Sequence, residues 1–423
     1  MRMVISFAAL LLSVVLLQLS SGALGPLDAI SGLALDFTRQ EIGILGSAHF
    51  LGFFIGCWWA PRLMGNVGHS RAFAVFTALG AIGLIAHMMI VDPRAWAVMR
   101  VGSGLCIAGC YTVIEAWLHA KVTNETRGRV MGVYRLFDLV ASLCAQLVIA
   151  FLEPASYISY NLLAIVCCAA LLPLTLTTVK PPEMPHAPRL RPRLAYEKSP
   201  LAVAGVIVAA LSGASFRMVG PVYGVEVGLE AAQIAWFLAA FVLGGAIAQY
   251  PAGWLADKYD RRWVLTWLSA ASMLSCGATV FAADLGTVSI MLAAGFFGLT
   301  TFPIFSVAAA HAHDFADSSE RVDLSAALVF FFALGAIGAP YAASALIDQY
   351  GPTALFNMIA VAHGLLMAFG LIRMAARPTA TRTRYIYAPR TSFFIGRLTG
   401  RSREDRPRSK SASTPAKHQT EEP

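Results

Sequence analysis

Apolar residues fill most of this chain in blocks of about 20 residues, which short polar or proline-marked breaks separate. Twelve such blocks begin near positions 4, 41, 71, 95, 128, 155, 200, 231, 263, 287, 322 and 352. A helix of that length spans a hydrocarbon core about 30 Å thick. The blocks lack the alternation of apolar and polar residues that is typical of membrane strands. The pattern predicts an all-α membrane protein with twelve transmembrane helices, in which consecutive helices are antiparallel.

The composition supports this interpretation. Only 13% of the 423 residues are charged and 57% are hydrophobic, whereas an average soluble domain has about 25% charged residues. A soluble globule is therefore excluded. An alternative for the first block is a secretory signal peptide, because Arg2 precedes an apolar core. A spanning helix is favoured, since the segment of low charge continues to Leu35.

Basic residues lie mainly on one side of the predicted bundle. The amino terminus, the even-numbered loops and the carboxy-terminal tail hold about 27 of the 32 basic residues, and the odd-numbered loops hold only Arg39 and Arg94. Loops rich in lysine and arginine stay in the cytoplasm. The distribution predicts a multi-pass protein of the plasma (inner) membrane with both termini in the cytoplasm.

The longest internal polar stretch divides the chain into two parts. Residues 180–199 are rich in proline and basic residues, which is typical of a cytoplasmic linker. We therefore predict an N-terminal six-helix half at 1–179, the linker at 180–199 and a C-terminal six-helix half at 200–376. The last 47 residues, 377–423, hold eleven basic and four acidic residues. This composition predicts a disordered basic cytoplasmic tail.

The two halves resemble each other weakly in sequence. Ser21-Gly22-Ala23 recurs as Ser212-Gly213-Ala214, and Leu51-Gly52 recurs as Leu243-Gly244. Two similar six-helix units can enclose a central cavity and rock against each other, so that the cavity opens alternately to each side of the membrane. The repeat therefore favours transport by alternating access.

One loop motif identifies a family. The segment Gly253-Trp-Leu-Ala-Asp-Lys-Tyr-Asp-Arg-Arg262 resembles the G-x-L-A-D-[RK]-x-G-R-[RK] motif of the major facilitator superfamily, with Asp260 in place of the usual glycine. The matching residues are Gly253, Asp257, Lys258, Arg261 and Arg262. The corresponding loop of the first half, at 61–70, lacks the acidic residue. The resemblance implies a gating role for the second copy.

Residues 4–376 resemble the YcaD-like branch of this superfamily. The segments that carry the resemblance are Ile114-Glu-Ala-Trp117, Arg127-Gly-Arg-Val-Met-Gly-Val-Tyr134, Gly220-Pro-Val-Tyr223 and Ala310-His-Ala-His-Asp314. Arg100-Val-Gly-Ser-Gly104 is similar to the R-x-x-x-G motif, which drug:proton antiporters of the superfamily use in proton coupling. The resemblance implies a twelve-helix inner-membrane permease and names no substrate.

Six charged residues fall inside predicted helices, where each costs about 2.5–3.5 kcal/mol to insert. They are Asp28, Arg100, Glu115, Arg135, Asp138 and Arg217. Glu115 and Arg135 lie at equal depths on neighbouring helices, and Asp138 shares a face with Arg135. We predict a cluster of these three on the cavity, with proton coupling or substrate binding as the functional alternative to a structural ion pair.

Asp28, Arg100 and Arg217 fall towards the periplasmic ends of their helices. A pair of Asp28 with Arg217 would join the two halves and act as an outer gate, whereas a pair of Asp28 with Arg100 would be structural within one half. The sequence leaves both options open. Asp257 is expected to approach the start of the fifth helix, near Arg127 and Arg129, and to latch the cytoplasmic side.

Trp117, Tyr223 and His311 are weaker candidates for substrate contact, and packing or interfacial positions are the alternatives for them. The seven cysteines lack metal-ligand spacing. No nucleotide-binding G-x-x-x-x-G-K-[ST] motif and no nucleophile motif occur in the sequence. We therefore predict no enzyme activity, no cofactor, no metal and no nucleic-acid partner.

Together these features predict a secondary active transporter of a small solute that works by alternating access and is coupled to protons. It is expected to act as a monomer in the lipid bilayer. The alternative is a membrane sensor or scaffold that has the transporter fold without transport and uses its tail for docking. The charges inside the helices sum to zero, so the sequence does not indicate the charge of the solute.

Overall fold

The structure is a computed structural model that describes residues 2–121, 127–176, 190–317 and 320–376. These ranges are almost entirely α-helical and contain no strand. Twelve helices within them are long and apolar enough to cross a membrane. Each begins within three residues of a predicted block, so the all-α fold with twelve transmembrane helices is confirmed.

The first six spans are formed by seven helices, because α7 continues α6 after a slight break. They are α1 (Arg2–Ala34), α2 (Arg39–Val67), α3 (His69–His87), α4 (Pro93–Lys121), α5 (Arg127–Val148), α6 (Tyr157–Ala169) and α7 (Leu171–Thr175). A short helix, α8 (Pro192–Lys198), precedes the second set of spans. These are α9 (Pro200–Glu226), α10 (Ala231–Lys258), α11 (Arg261–Ala282), α12 (Thr287–His313), α13 (Arg321–Tyr350) and α14 (Ala354–Ala376).

Local sequence signals explain several helix boundaries. Thr38 begins α2 with a capping box, in which its hydroxyl accepts from the Glu41 N–H at 3.2 Å and the Glu41 carboxylate accepts from the Thr38 N–H at 2.8 Å. Ser199 caps α9 through its hydroxyl, which accepts from the Ala202 N–H at 3.1 Å, and Pro200 is the first helical residue. Gly351 ends α13 with a φ of 82°, which glycine adopts at little cost.

Glycines bring two pairs of helices into very close contact at equivalent places in the halves. Between α2 and α4, a Cβ on Gly52 would lie 1.9 Å from the Val101 carbonyl oxygen, and one on Gly104 would lie 1.9 Å from the His49 carbonyl oxygen. Between α10 and α12, a Cβ on Gly244 would lie 1.9 Å from the Gly295 carbonyl oxygen. Any side chain at these positions would force the helices apart. The repeated Leu-Gly segment of the sequence thus marks a repeated helix crossing.

Among the described residues, the two sets of helices contact each other where α1 packs against α9, α2 against α13 and α9, and α5 against α10. The turns that follow α1, α3, α5, α9, α11 and α13 lie at one end of the bundle, here called the odd-loop end. The opposite end, with α8, is the even-loop end. A cavity lies between the two sets.

The predicted linker at 180–199 is described only from Leu190 onward. Its last part forms α8, which the sequence analysis did not foresee, and α8 is tied to the start of α13 by two ion pairs. Lys198 Nζ lies 2.6 Å from Glu320 Oε2, and Arg191 Nη1 lies 3.8 Å from Asp323 Oδ2. The predicted tail at 377–423 lies outside the described residues.

Candidate functional site

A central cavity lies between the two sets of helices. It contains about 1240 Å³ of empty space, counting its opening to solvent. Helices α1, α2, α4 and α5 line one wall, and α9, α12 and α13 line the other. The polar side chains in the lining are Gln18, Ser21, His49, Tyr111, Arg135, Asp138, Ser142, Gln146 and Arg217.

Arg135 connects two carboxylates at the cavity wall. Its Nη2 donates to Glu115 Oε1 at 3.1 Å, and its Nη1 lies 3.5 Å from Asp138 Oδ2. The spacing of three residues on α5 aligns Arg135 with Asp138, and the equal depth of α4 brings in Glu115. The structure therefore places these three together, as the sequence analysis expected. Their exposure differs, since the side chain of Glu115 is 1% exposed and that of Asp138 is 19% exposed.

Two tyrosines complete this cluster, and the charge pattern of the sequence did not reveal them. The Tyr134 hydroxyl donates to Glu115 Oε1 at 3.2 Å. The Tyr111 hydroxyl lies 2.8 Å from Asp138 Oδ1 and 2.5 Å from Gln18 Oε1. A hydroxyl has one proton to donate, so Tyr111 can bond to either acceptor. Tyr111 lies four residues before Glu115 on α4, which places both on one face of the helix. This spacing is the sequence signal that could have indicated Tyr111.

Arg217 lines the cavity from the opposite wall. Among the described lining residues, it is the only charged side chain that α9, α12 or α13 contributes. Its guanidinium carbon lies 5.6 Å from the centre of the Phe302 ring, within the range of cation–π attraction. It also lies close enough to Asp138 and His49 to interact with them electrostatically.

Asp28 pairs with Arg100 within the first half. Arg100 Nε and His87 Nε2 lie 3.5 Å and 3.4 Å from Asp28 Oδ2, and the Tyr160 hydroxyl donates to Asp28 Oδ1 at 2.8 Å. Of the two options left open by the sequence, this conformation has the structural pair. The reason is that Asp28 turns towards α3, α4 and α6, whereas Arg217 turns into the cavity.

A different set of charges joins the halves at the odd-loop end. Arg39 Nη2 lies 2.5 Å from Glu226 Oε1, and Arg39 Nη1 lies 3.3 Å from Asp348 Oδ1. The Gln40 amide donates to Asp348 Oδ2 at 3.2 Å. We call these four residues the Arg39 network. The sequence analysis missed it, although Arg39 was one of only two basic residues in the odd-numbered loops.

The superfamily motif forms ion pairs inside the second half at the even-loop end. Arg261, which is buried, lies 2.6 Å from Asp314 Oδ1 and 3.6 Å from Asp257 Oδ1. The Arg262 side chain pairs with Asp260 at 2.7 Å. Asp260, which replaces the motif glycine, also caps α11, because its side chain accepts from the Arg262 N–H. The remaining motif residues contribute packing, since Gly253 is buried and the Lys258 ammonium lies over the Trp254 ring at 4.7 Å. The expected partners Arg127 and Arg129 have side chains outside the described residues.

The three weaker candidates lie away from the cavity lining among the described residues. Trp117 is buried and stacks on the His69 ring with centroids 6.4 Å apart. Tyr223 is buried, donates to the Thr279 carbonyl at 3.2 Å and contacts the Phe356 ring edge-on. His311 is buried against Phe315 near the even-loop end. Their apolar faces pack within each half, so the expectation of substrate contact does not fit this conformation.

Outside the spans, an ion pair between α8 and the start of α13 changes the pKa of a carboxyl group. The Lys198 ammonium donates to Glu320, and this hydrogen bond lowers the pKa of the Glu320 carboxyl from its ordinary value of 4.5. Within the described ranges, no group of three His, Cys, Asp or Glu side chains could hold a metal ion.

Comparison with known proteins gives consistent results. The family model described as Major Facilitator Superfamily matches residues 10–209 and again residues 202–395. An uncharacterized MFS-type transporter of Enterobacter sp. (strain 638) is 25% identical over 372 residues, which cover 88% of this chain and 96% of that protein. The uncharacterized MFS-type transporter YcaD of Salmonella newport (strain SL254) is 25% identical over 365 residues, with coverage of 83% and 91%.

Solved structures show the same fold. The nucleoside transporter NupG superposes with a TM-score of 0.71 at 14% identity, covering 87% of this chain and 98% of that chain. A D-xylose-proton symporter superposes with a TM-score of 0.66 at 13% identity, covering 90% and 99%. At these identities the likeness concerns the arrangement of helices.

Proposed function

The chain belongs to the Major Facilitator Superfamily, and we propose that it is a proton-coupled secondary transporter that moves a small solute across the inner membrane by alternating access. Membership in this superfamily makes it a multi-pass membrane transporter. We further propose proton coupling, the roles of the charged residues and the orientation in the membrane. Both termini are placed in the cytoplasm, on the strength of the basic residues in the even-numbered loops.

One observation carries the proposal, namely a partly exposed carboxylate paired with an arginine in a cavity between two packed halves. Asp138 is in contact with the cavity, whereas Glu115 lies behind it and neutralises Arg135. A carboxylate that loses its cationic partner in a cavity of low dielectric binds a proton more readily. A change of side-chain conformation that separates Asp138 from Arg135 while the halves rock would therefore load a proton, and re-formation of the pair would release it.

The remaining charged groups fit gating roles in this proposal. The Arg39 network holds the odd-loop end closed, and with the proposed orientation this end faces the periplasm. The pair of Asp257 with Arg261 belongs to the even-loop end, where the superfamily motif would latch the cytoplasmic side in the opposite conformation. Asp28 and Arg100 stabilise the first half, and Arg217 faces the solute.

The experiment identifies a solute and then measures its flux. A metabolite comparison between deletion and overexpression cells provides the candidate solute. Its uptake into proteoliposomes is measured with and without an imposed pH gradient for the wild type, Asp138→Asn, Glu115→Gln and Asp284→Asn, a control on an exposed turn. We expect gradient-dependent flux in the wild type and the control, and flux independent of the gradient in Asp138→Asn.

Two results would contradict the proposal at different levels. If both Asp138→Asn and Glu115→Gln keep the wild-type dependence on the gradient, this cluster does not couple protons. The second result is a folded wild-type protein that carries no solute in proteoliposomes, although cells require the protein. This result would refute transport and favour the sensor or scaffold alternative.

A further inference from the structure

The two walls of the cavity carry different charges. On the first wall, Arg135 faces Asp138 and is also paired with the buried Glu115. On the second wall, Arg217 is the only charged side chain among the described lining residues. Arg135 is paired with Glu115, so among the described lining residues the charges that a solute meets are those of Asp138 and Arg217. These sum to zero when Asp138 is ionised and to +1 when Asp138 holds a proton.

The rest of the lining is suited to an apolar body. Phenyl rings face the cavity from both walls, with Phe50 and Phe53 on α2, Phe302 on α12 and Phe332 on α13. The Arg217 guanidinium lies beside the Phe302 ring, so a cationic group and a flat apolar surface adjoin each other. A ring or a branched chain can lie against these phenyl groups while a polar end reaches Arg217.

We propose that the cavity binds a monoanion with an apolar body of about the size of one ring, with its anionic group on Arg217, and that one proton on Asp138 accompanies it. This inference rests on the transport function proposed above and names the solute class. A guanidinium binds a carboxylate through two parallel hydrogen bonds, which gives both strength and orientation.

The charge count explains why the proton and the anion enter together. The proton adds to a carboxylate oxygen of Asp138, which then releases Arg135 and can donate to a neighbouring acceptor. The cavity gains one positive charge, and the anion restores neutrality in a region where an uncompensated charge is unfavourable. When the anion leaves, Asp138 returns its proton to water and re-forms its pair with Arg135. The loaded and empty cavities therefore have the same charge.

The other ionisable groups around Asp138 do not change this balance. Tyr111 and Glu115 approach it from α4 and Arg135 from its own helix, with Arg217 across the cavity and His49 on α2 of the same wall. His49 Nδ1 is engaged with the Ser103 hydroxyl at 3.3 Å. A cationic solute would have to compete with Arg135 and Tyr111 for Asp138 while Arg217 repels it. The geometry therefore favours an anion.

The test measures binding of three matched probes to the purified full-length protein by titration calorimetry at pH 5.5 and pH 7.5. The probes are phenylacetate, its neutral amide phenylacetamide and the cation phenethylamine. We expect phenylacetate alone to bind, at least about fivefold more tightly at pH 5.5, because proton uptake is linked to binding. Arg217→Gln should weaken binding at least about tenfold, as expected for loss of hydrogen bonds to a charged group. Asp138→Asn should bind phenylacetate with little dependence on pH.

The control is Arg94→Gln, which removes an exposed arginine of an odd-numbered loop and should bind as the wild type does. Preference for phenethylamine, equal binding of phenylacetamide, or no binding of any probe would overturn the proposed solute class. Unchanged binding in Arg217→Gln would overturn the assignment of the anion to this residue. If any of these results is accompanied by gradient-dependent flux of another solute, the protein is a transporter and only the proposed solute class is wrong.

Discussion

At the scale of single residues, Glu115 and Asp138 share Arg135 but differ in their access to water. Glu115 is enclosed by Arg135 and Tyr134, whereas Asp138 borders the cavity. A buried carboxylate that is removed leaves its cationic partner without compensation, which is strongly unfavourable. The two residues should therefore respond differently to neutralisation, one through stability and the other through the pH dependence of transport.

We predict that Glu115→Gln lowers the free energy of unfolding by about 1–3 kcal/mol, because Arg135 keeps only Asp138 as a carboxylate partner. Asp138→Asn should change it by less than about 1 kcal/mol, since Asp138 is partly hydrated. Thermal unfolding of the purified variants in one detergent measures both effects. Equal loss of stability in the two variants would show that Asp138 is as structural as Glu115.

Charge counting found the six intramembrane charges, and helix depth correctly brought Glu115 to Arg135. It did not find the uncharged partners, because a tyrosine in a membrane helix has many packing roles and no pattern that distinguishes them. Tyr111 and Tyr160 became visible only through their distances to Asp138 and Asp28. The choice of Arg100 over Arg217 as the partner of Asp28 depends on side-chain direction, which residue depth does not determine.

At the scale of helices, the glycine crossings of α2 with α4 and of α10 with α12 hold each half together. Gly104 has the His49 carbonyl where its side chain would be, while Gly102 on the same helix has open space. The two glycines are therefore a matched pair, equal in helix propensity and different in packing. Sequence repetition predicted that the halves correspond, but only the geometry identified the reason for these glycines.

We predict that Gly104→Ala lowers the free energy of unfolding by at least about 2 kcal/mol, because the added methyl group forces α2 away from α4. Gly102→Ala should be neutral or stabilising by up to about 1 kcal/mol, through reduced chain entropy in the unfolded state. Thermal unfolding with far-ultraviolet circular dichroism compares them. Similar behaviour of both variants would mean that the crossing tolerates separation.

Helix α8 provides a prediction on pH. The lowered pKa of Glu320 means that its bond with Lys198 stabilises the docked α8 at neutral pH, and that this contribution is lost as the pH falls from the ordinary value of 4.5 through the lowered pKa. Hydrogen exchange of residues 192–198 should therefore be faster at pH 3.5 than at pH 6, after correction for intrinsic rates. In Glu320→Gln this difference should disappear. The many prolines of residues 180–199 predicted a linker, and for this reason the short helix α8 was not predicted from the sequence.

At the scale of the whole molecule, the Arg39 network connects the ends of α2, α9 and α13, and so joins the two sets of helices at the odd-loop end. The middle parts of the same helices line the cavity. In the proposed transport cycle, the network would therefore have to break before the cavity opens on that side. The twelve helices and their two sets followed from the sequence. The Arg39 network did not, because its ion pairs join positions that are 187 and 309 residues apart.

We predict that Arg39→Glu shifts the population towards separation at the odd-loop end, since it places a third acidic group beside Glu226 and Asp348. Distances between spin labels at Leu35→Cys and at Val225→Cys, an exposed position at the end of α9, should increase in a larger fraction of molecules, in a background lacking the native cysteines. The double variant Arg39→Glu with Glu226→Arg should restore much of the closed population, and Arg94→Gln serves as the control. Identical distance distributions in all variants would show that the Arg39 network does not control the separation of the halves.

The exposure of the Arg39 network has a consequence for the living cell. Its side chains are 24–40% exposed, so dissolved ions screen them, with a Debye length of about 8 Å at 0.15 M ionic strength and about 30 Å at 0.01 M. With this end facing outward, dilute surroundings strengthen the closure and saline surroundings weaken it. The resting conformation of the transporter would then follow the salinity of the medium, before any solute has arrived.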